Sequence, residues 1–372
     1  MIRPAFFYSE LKKHDVNFFT GVPDSLLKNF CAYLTDNCEK NKHIIAVNEG
    51  AAIALASGYN IATREVALVY MQNSGIGNAV NPLLSLVDAE VYKIPMLLLI
   101  GWRGEPGVHD EPQHVKQGKV TLKLLKTMDI SYEILSNDEN ELKKQMSICF
   151  DFISKNNSIY ALVVKKDTFA PYSLKNVQKE ELGLMSREDA IEEIVKASNR
   201  DEIFFSTTGM ASRELYEIRD KYKMDHWHDF LTVGSMGHTS HIALSVALQK
   251  PDKNITVIDG DGAVLMHMGA LAQVGVKNLK NLRHIVINNE SHDSVGGQST
   301  IAQSINLCGV AIACGYKYVR RVTTIEELVN ILSEKQEASA FIEIFVKKGA
   351  RKDLGRPKTS PIENKIALMK NL

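Results

Sequence analysis

Short apolar runs rich in β-branched residues alternate along this chain with longer amphipathic stretches, and that alternation leaves few folds open. In the first half the strand candidates are residues 17–20, 43–47, 66–70, 96–100 and 160–164. In the second half they are 202–205, 255–258, 284–287, 316–319 and 341–345. Helix candidates such as 50–62, 139–154 and 186–197 lie between them, the last opened by Ser186-x-x-Asp189, a relaxed capping box. Strands separated by helical segments read as βαβ units and parallel sheets. A chain of 372 residues has room for two domains and little more. The join falls in residues 167–184, which hold Pro171, several Lys and Glu, and no strong period. The expectation is an α/β protein of two doubly wound parallel-sheet domains, residues 1–170 and 185–372, with no middle domain.

Composition narrows the function classes. Lys and Arg number 44 and so do Asp and Glu, so the chain lacks the basic excess of a nucleic-acid or membrane-surface binder. The most apolar run, residues 94–100, contains Pro95 and falls far short of the roughly 20 residues that span a bilayer. The five cysteines, Cys31, Cys38, Cys149, Cys308 and Cys314, are odd in number and form no C-x-x-C, which fits reduced thiols. The first ten residues carry one Arg and a patch too short for a signal-peptide core. A cytoplasmic protein is expected. From residue 346 the chain turns basic, with Lys or Arg at 347, 348, 351, 352, 356, 358, 365 and 370; such a run ordinarily reads as a solvated tail.

The chemistry concentrates at strand ends. Residues 255–258 run directly into Asp259-Gly-Asp-Gly262, and residues 284–287 into Asn288-Asn289. Ligands of open α/β sheets bind at the carboxyl ends of the strands. Asp261 offers a carboxylate oxygen and Asn289 an amide oxygen, hard donors suited to Mg²⁺ with phosphate oxygens completing its shell. Gly260 and Gly262 let backbone approach a phosphate closely. Residues 43–47 lead into Asn48-Glu49-Gly50 and a helix almost free of charge until Arg64. Glu49 either caps that helix or, stripped of water, shares a proton. Gly234-Ser-Met-Gly237 is a Gly-rich turn before a helix over 238–248. The segment 102–118 holds Arg103, His109, His114 and Lys116 among several Gly and Pro, which suggests a shaped loop rather than a helix. His109 or His114 would protonate a carbanion or bind an anion; their roles are not separable at this point. Asp24 is either a turn former or an active-site acid.

The order strand–GDG–helix–strand–NN resembles the diphosphate motif of thiamine-diphosphate enzymes. That resemblance implies Mg²⁺ held by Asp261, Asn289 and the carbonyl of Ser291. It also implies cofactor contacts from Thr208, Gly209, Gly260, Gly262, Ala263 and His292. Glu49 would bond the aminopyrimidine ring and promote its imino tautomer. Met236 would wedge the cofactor into its bent conformation, with Gly234 and Ser235 bonding the pyrimidine. The motifs Gly21-Val-Pro-Asp-Ser25, Trp102-Arg-Gly-Glu105, Asp110-Glu-Pro-Gln-His114, Thr208-Gly-Met-Ala-Ser-Arg213 and Ser291-His-Asp-Ser-Val-Gly-Gly-Gln298 are similar to those of the phosphonopyruvate decarboxylases, with the sulfopyruvate decarboxylases nearby. The resemblance implies release of CO₂ from 3-phosphonopyruvate to give phosphonoacetaldehyde in phosphonate biosynthesis, with sulfopyruvate or another 2-oxo acid as the alternative substrate. Asp24, Glu49, His109 and His114 would then be catalytic. Arg103, His109, His114 and Lys116 would face the anionic substrate, and the basic tail, through Arg356, could fold over the phosphonate. A homo-oligomer follows, with Glu49 and Asp261 of different subunits sharing one cofactor.

Overall fold

The computed structural model describes residues 1–175 and 183–372. Twelve strands are present among them: β1 (Phe19–Gly21), β2 (His43–Ile45), β3 (Ala67–Gln72), β4 (Met96–Gly101), β5 (Ser131–Ile134), β6 (Ile159–Val164), β7 (Ile203–Ser206), β8 (Asp229–Leu231), β9 (Ile255–Gly260), β10 (Leu282–Asn288), β11 (Tyr318–Val322) and β12 (Ala340–Phe345). They form two six-stranded sheets in the orders β2-β1-β3-β4-β6-β5 and β11-β12-β10-β9-β7-β8. Every pairing in them is parallel. Read from its other end and numbered from its own first strand, the second sheet repeats the first: 2-1-3-4-6-5 in both.

The chain divides into two compact units, Met1–Val177 with Ser294–Gln298, and Gln178–Asp293 with Ser299–Leu372. Each sheet is sandwiched by helices. Alternate residues of one strand feed opposite faces: Leu97 and Leu99 of β4 join one apolar cluster, Met96, Leu98 and Ile100 the other. Burial on both faces is why β4 reads as an unbroken apolar run. Truncating any of these leucines to Ala would cost ~2–5 kcal/mol.

The strand expectations differ from the structure at the sheet edges. β5 and β8, both edge strands, were not among the sequence candidates. Residues 316–319 were expected as a strand, but β11, another edge, begins at Tyr318 and runs through the exposed Arg320 and Arg321 to Val322. An edge strand buries little and so carries little apolar signal. The edge of β8 is closed by one side chain of the helix Pro361–Asn371: Asn364 Oδ1 accepts from the Leu231 N–H at 3.1 Å, and its Nδ2 donates to the Asp229 carbonyl at 2.8 Å. Ser186 and Asp189 form the expected capping box at the start of the helix Arg187–Ala197.

Part of the basic C-terminal stretch is tied to its unit rather than solvated along its length. Arg351 pairs with Glu188 at 3.0 Å, with Asp353 at 3.2 Å and with Glu217. The Gly355 N–H also donates to Glu217, at 2.6 Å, and the chain ends in the helix Pro361–Asn371. Acids of the same unit thus take up the charge of Arg351, while Lys347, Lys352, Arg356, Lys358, Lys365 and Lys370 are exposed.

Candidate active site

In the first unit the polar residues of interest stand at the carboxyl ends of neighbouring strands. Asp24 follows β1 and is fully buried. Its Oδ1 accepts from Gln72 Nε2 at the end of β3 (2.7 Å), and its Oδ2 from the Leu26 N–H (2.8 Å). The sheet order reverses between β1 and β3, the place where doubly wound sheets open a crevice. Gly101, ending β4, has no side chain because a Cβ there would lie 2.2 Å from Asp24 Oδ2.

Glu49 follows β2 as the first residue of the helix Glu49–Thr63, whose N-cap is Asn48. Capping therefore falls to Asn48, whose Oδ1 accepts from the Ala51 N–H at 2.8 Å. Glu49 is 5% exposed, and its Oε2 accepts from Asn78 Nδ2 at 2.8 Å. Gly75 lies so close that a Cβ would come within 2.3 Å of Glu49 Oε1. Glu49 is thus a buried carboxylate met by a neutral amide, that of Asn78.

The segment after β4 is only partly the expected loop. It is irregular through Glu111, but Pro112 opens the helix Pro112–Thr127, so His114, Lys116 and Gly118 are helical. Proline suits the first helical turn, where its missing N–H has no partner to lose. Arg103 gives Nε and Nη2 to Asp110 and Nη1 to Ser25, the last at 2.8 Å. Burial pushes the Asp110 carboxyl up, but bonds from Arg103 and from the Glu111 and Gly104 N–H groups outweigh it and hold it well below the usual carboxylate range. Asp110 stands seven residues from Arg103, a pairing the loop composition did not single out. His114 is 9% exposed with a buried, unpartnered Nδ1. Burial, then the charge of Arg103, lowers its imidazole, so it is neutral at pH 7. His109 and Lys116 are exposed.

In the second unit, register sets Ile287 beside Gly260, so Asp261 and Asn288 leave adjacent strands at one level. Thr300 joins the two loops: its hydroxyl donates to Asp261 Oδ2 at 2.5 Å and its N–H to the Glu290 carbonyl at 3.0 Å. Burial pushes the Asp261 carboxyl up to about 7, against the Thr300 hydroxyl. Asn289 is 8% exposed; its Oδ1 accepts from the Ser291 N–H at 3.1 Å. A Cβ on Gly262 would sit 3.6 Å from both Met236 Cε and His292 Cε1, so these three residues meet. Burial lowers the His292 imidazole to about 4. Gly237 has φ +84°, and a Cβ there would lie 2.7 Å from the Ala263 carbonyl, so only glycine fits that turn. Thr208 Oγ1 donates to the Val233 carbonyl at 2.9 Å, tying the loop after β7 to the loop of Gly234, Ser235 and Met236 after β8.

Among the described residues no cluster of three His, Cys, Asp or Glu could hold a metal. The expected donor set uses one such residue and two neutral oxygens, and it fits the surroundings. Asp261 is a 3%-exposed carboxylate met at Oδ2 by the neutral Thr300 hydroxyl, and Ser291 Oγ is buried without a partner. Gly209, at the N-cap of the helix Met210–Lys221, and Gly260 both face open space where a Cβ would stand. A diphosphate with its cation needs such room beside backbone N–H groups.

The thiamine pyrophosphate enzyme N-terminal TPP binding domain matches residues 5–125, and the C-terminal TPP binding domain of the same enzymes matches residues 207–344. A phosphonopyruvate decarboxylase of Streptomyces viridochromogenes is 32% identical over 98% of this chain and 93% of its own length. The chain belongs to the thiamine pyrophosphate enzyme family. Within that family, a phosphonopyruvate decarboxylase of Streptomyces hygroscopicus is 31% identical, covering 94% of this chain and 88% of its own. A sulfopyruvate decarboxylase of Methanosarcina acetivorans is 26% identical, covering 91% of this chain and 90% of its own. This member of the thiamine pyrophosphate enzymes is a decarboxylase dependent on thiamine diphosphate, built from two α/β units. No helix among the described residues is long and apolar enough to cross a membrane.

Proposed function

We propose that the chain decarboxylates 3-phosphonopyruvate to phosphonoacetaldehyde and CO₂, using thiamine diphosphate and Mg²⁺, as a step in phosphonate biosynthesis. The observation that carries this reading is the match to phosphonopyruvate decarboxylases over nearly the whole chain, at 32% and 31% identity. The sulfopyruvate decarboxylase at 26% keeps sulfopyruvate as the second reading. Residues 1–170 would bind the pyrimidine and residues 185–372 the diphosphate.

Asp261, Asn289 and the Ser291 carbonyl would hold the cation, with Thr208, Gly209, Gly260, Gly262, Ala263 and His292 around the diphosphate. Met236, Gly234 and Ser235 would support the pyrimidine. Bound there, thiamine diphosphate supplies the electron sink that a 2-oxo acid lacks as its carboxylate departs. Glu49 manages the proton. Asn78 engages its Oε2, leaving Oε1 for the pyrimidine. Asp24, held by Gln72 and the Leu26 N–H, is an acid near the reacting centre. His114, neutral at pH 7, accepts or returns a proton there.

The phosphonate needs cations or several N–H donors. Arg103 already serves Asp110, so an incoming dianion competes for it. Exposed His109 and Lys116 supply the remaining charge. The active species would be a cytoplasmic homo-oligomer in which Glu49 of one chain and Asp261 of another serve one cofactor, with no nucleic-acid or membrane partner.

The test is CO₂ release from phosphonopyruvate, sulfopyruvate and pyruvate, with and without thiamine diphosphate and Mg²⁺. The highest kcat/KM should belong to phosphonopyruvate. A higher value for sulfopyruvate moves the assignment to the second reading, and a catalytically active monomer defeats the shared site.

A further inference from the structure

The loop that follows β10 is tied down from its far end. The Asn289 amide has a donor and an acceptor, and a cation can use only the acceptor. Asn289 Nδ2 donates to Asp293 Oδ2 at 2.6 Å. The same carboxylate oxygen accepts from the Gly349 N–H at 2.8 Å and stands 3.5 Å from Arg187 Nη1. Arg187 is fixed in turn: Nε and Nη2 donate to Glu214 at 2.7 and 3.0 Å, and Nη2 donates to the Gly349 carbonyl at 3.3 Å. Arg187 is 7% exposed and Glu214 1%, so this is an interior arrangement rather than a surface pair. Gly349 reaches the site because the chain leaving β12 stays bonded to it, Val346 N–H to the Asn288 carbonyl at 3.0 Å and Lys347 N–H to the Met185 carbonyl at 2.9 Å.

Three donors from three parts of the sequence therefore converge on one oxygen of Asp293. Without that oxygen only the Ser291 N–H, 3.1 Å from Asn289 Oδ1, would oppose a half turn that presents the NH₂ group where a cation needs an oxygen. With it, the rotation would break the hydrogen bond from Nδ2 and set the amide's own oxygen against the Asp293 oxygen, two acceptors face to face. We infer that Asp293 is a positioning residue for a divalent cation: by holding Asn289 Nδ2 it keeps Asn289 Oδ1 as the cation-facing atom, and Gly349 and Arg187 hold Asp293 in place. This rests on the reading of Asp261, Asn289 and Ser291 as cation ligands.

The experiment is a Mg²⁺ titration of the full chain at saturating thiamine diphosphate, followed by calorimetry or by the fluorescence of its tryptophans, with kcat measured at saturating Mg²⁺. Removing an outer partner of a metal ligand commonly costs about 10–100-fold in metal affinity, and Asp293→Ala should lose that much while kcat stays within about threefold. Asp293→Asn, which still offers an acceptor oxygen to the same donors, should stay within about fivefold of the wild type in affinity. Wild-type affinity in Asp293→Ala overturns the inference. So does an Asp293→Asn as weak as the Ala variant, because charge rather than the hydrogen bond would then be responsible. If a thermal melt shows the Ala variant unfolded, Asp293→Glu replaces it; its charge is kept but its oxygens are displaced, and the same loss is expected. A wild-type chain that binds no thiamine diphosphate in response to Mg²⁺ would defeat the cofactor reading itself, an outcome distinct from equal binding by wild type and variant.

Discussion

The second strand of each unit opens onto loops of contrasting chemistry. After β2 comes Glu49, an acid buried against Gly75 and bonded by Asn78. After β8 comes Gly234-Ser-Met-Gly237, uncharged and shaped by one glycine at positive φ. The third and fourth strands repeat the contrast. In the first unit they end in Gln72 and in Trp102-Arg103, which serve Asp24 and Asp110. In the second they end in Asp261 and in Asn289, oxygen donors linked through Thr300. Under the proposed function, one strand order would carry proton-handling groups in one unit and cation- and phosphate-directed groups in the other. The sheets supply equivalent positions, and the few residues after each strand supply the chemistry.

The sharpest way to break this division is Glu49→Gln. CO₂ release should fall by about 10³-fold, within the range for losing a general acid or base, while affinity for thiamine diphosphate with Mg²⁺ changes little. A variant that fails to bind cofactor would show that the first unit does not confine itself to proton transfer. Asp261→Ala is the mirror experiment. Mg²⁺ affinity should drop on the order of 10²-fold or more, and excess Mg²⁺ should restore part of the activity; activity insensitive to Mg²⁺ would remove Asp261 from the cation site.

The units should resemble each other in one response to acid, since each holds an imidazole that burial lowers to about 4, His43 in the first and His292 in the second. Burial lowers the His43 imidazole on β2 to about 4, beside the Tyr70 hydroxyl at 2.8 Å. Between pH 6.5 and 4 the unfolded chain binds a proton that the folded chain refuses. The stability from neutral His43 is therefore complete above pH 6.5 and is lost as pH falls towards 4, by at most about 3 kcal/mol. Denaturant melts across that window should show the slope, and His43→Phe should remove the share due to His43 while leaving that of His292. The smallest expected effect is Thr300→Val, which removes one buried hydroxyl from Asp261 and should cost about 1 kcal/mol, close to fivefold in Mg²⁺ affinity.

The central strands and the strand-end motifs were legible in the sequence for one physical reason: both are local. β4 and β9 are apolar because they are buried on both faces, and Asp259-Gly-Asp-Gly262 follows β9 without a gap. The edges were harder to read. Ser131–Ile134 is short and half-covered, Asp229–Leu231 is only three residues long and opens on a buried acid, and β11 carries Arg320 and Arg321 outward. Partners distant in sequence were harder still. Nothing near Glu49 announces Asn78, and nothing near Asn289 announces Gly349. Arg103 was legible as a cation but not as one already committed to Asp110, because composition shows charge without showing what it faces.

The Asn364 amide has a consequence that concerns neither cofactor nor substrate. β8 is three residues long and ends its sheet, and two of the backbone groups on its outer edge, the Leu231 N–H and the Asp229 carbonyl, are occupied by that one side chain. A chain cut short before the last helix would keep every residue of the cofactor motifs, yet it would present a bare strand to its neighbours in solution. Its first symptom should be self-association through that strand, seen as concentration-dependent aggregation before any decline in turnover.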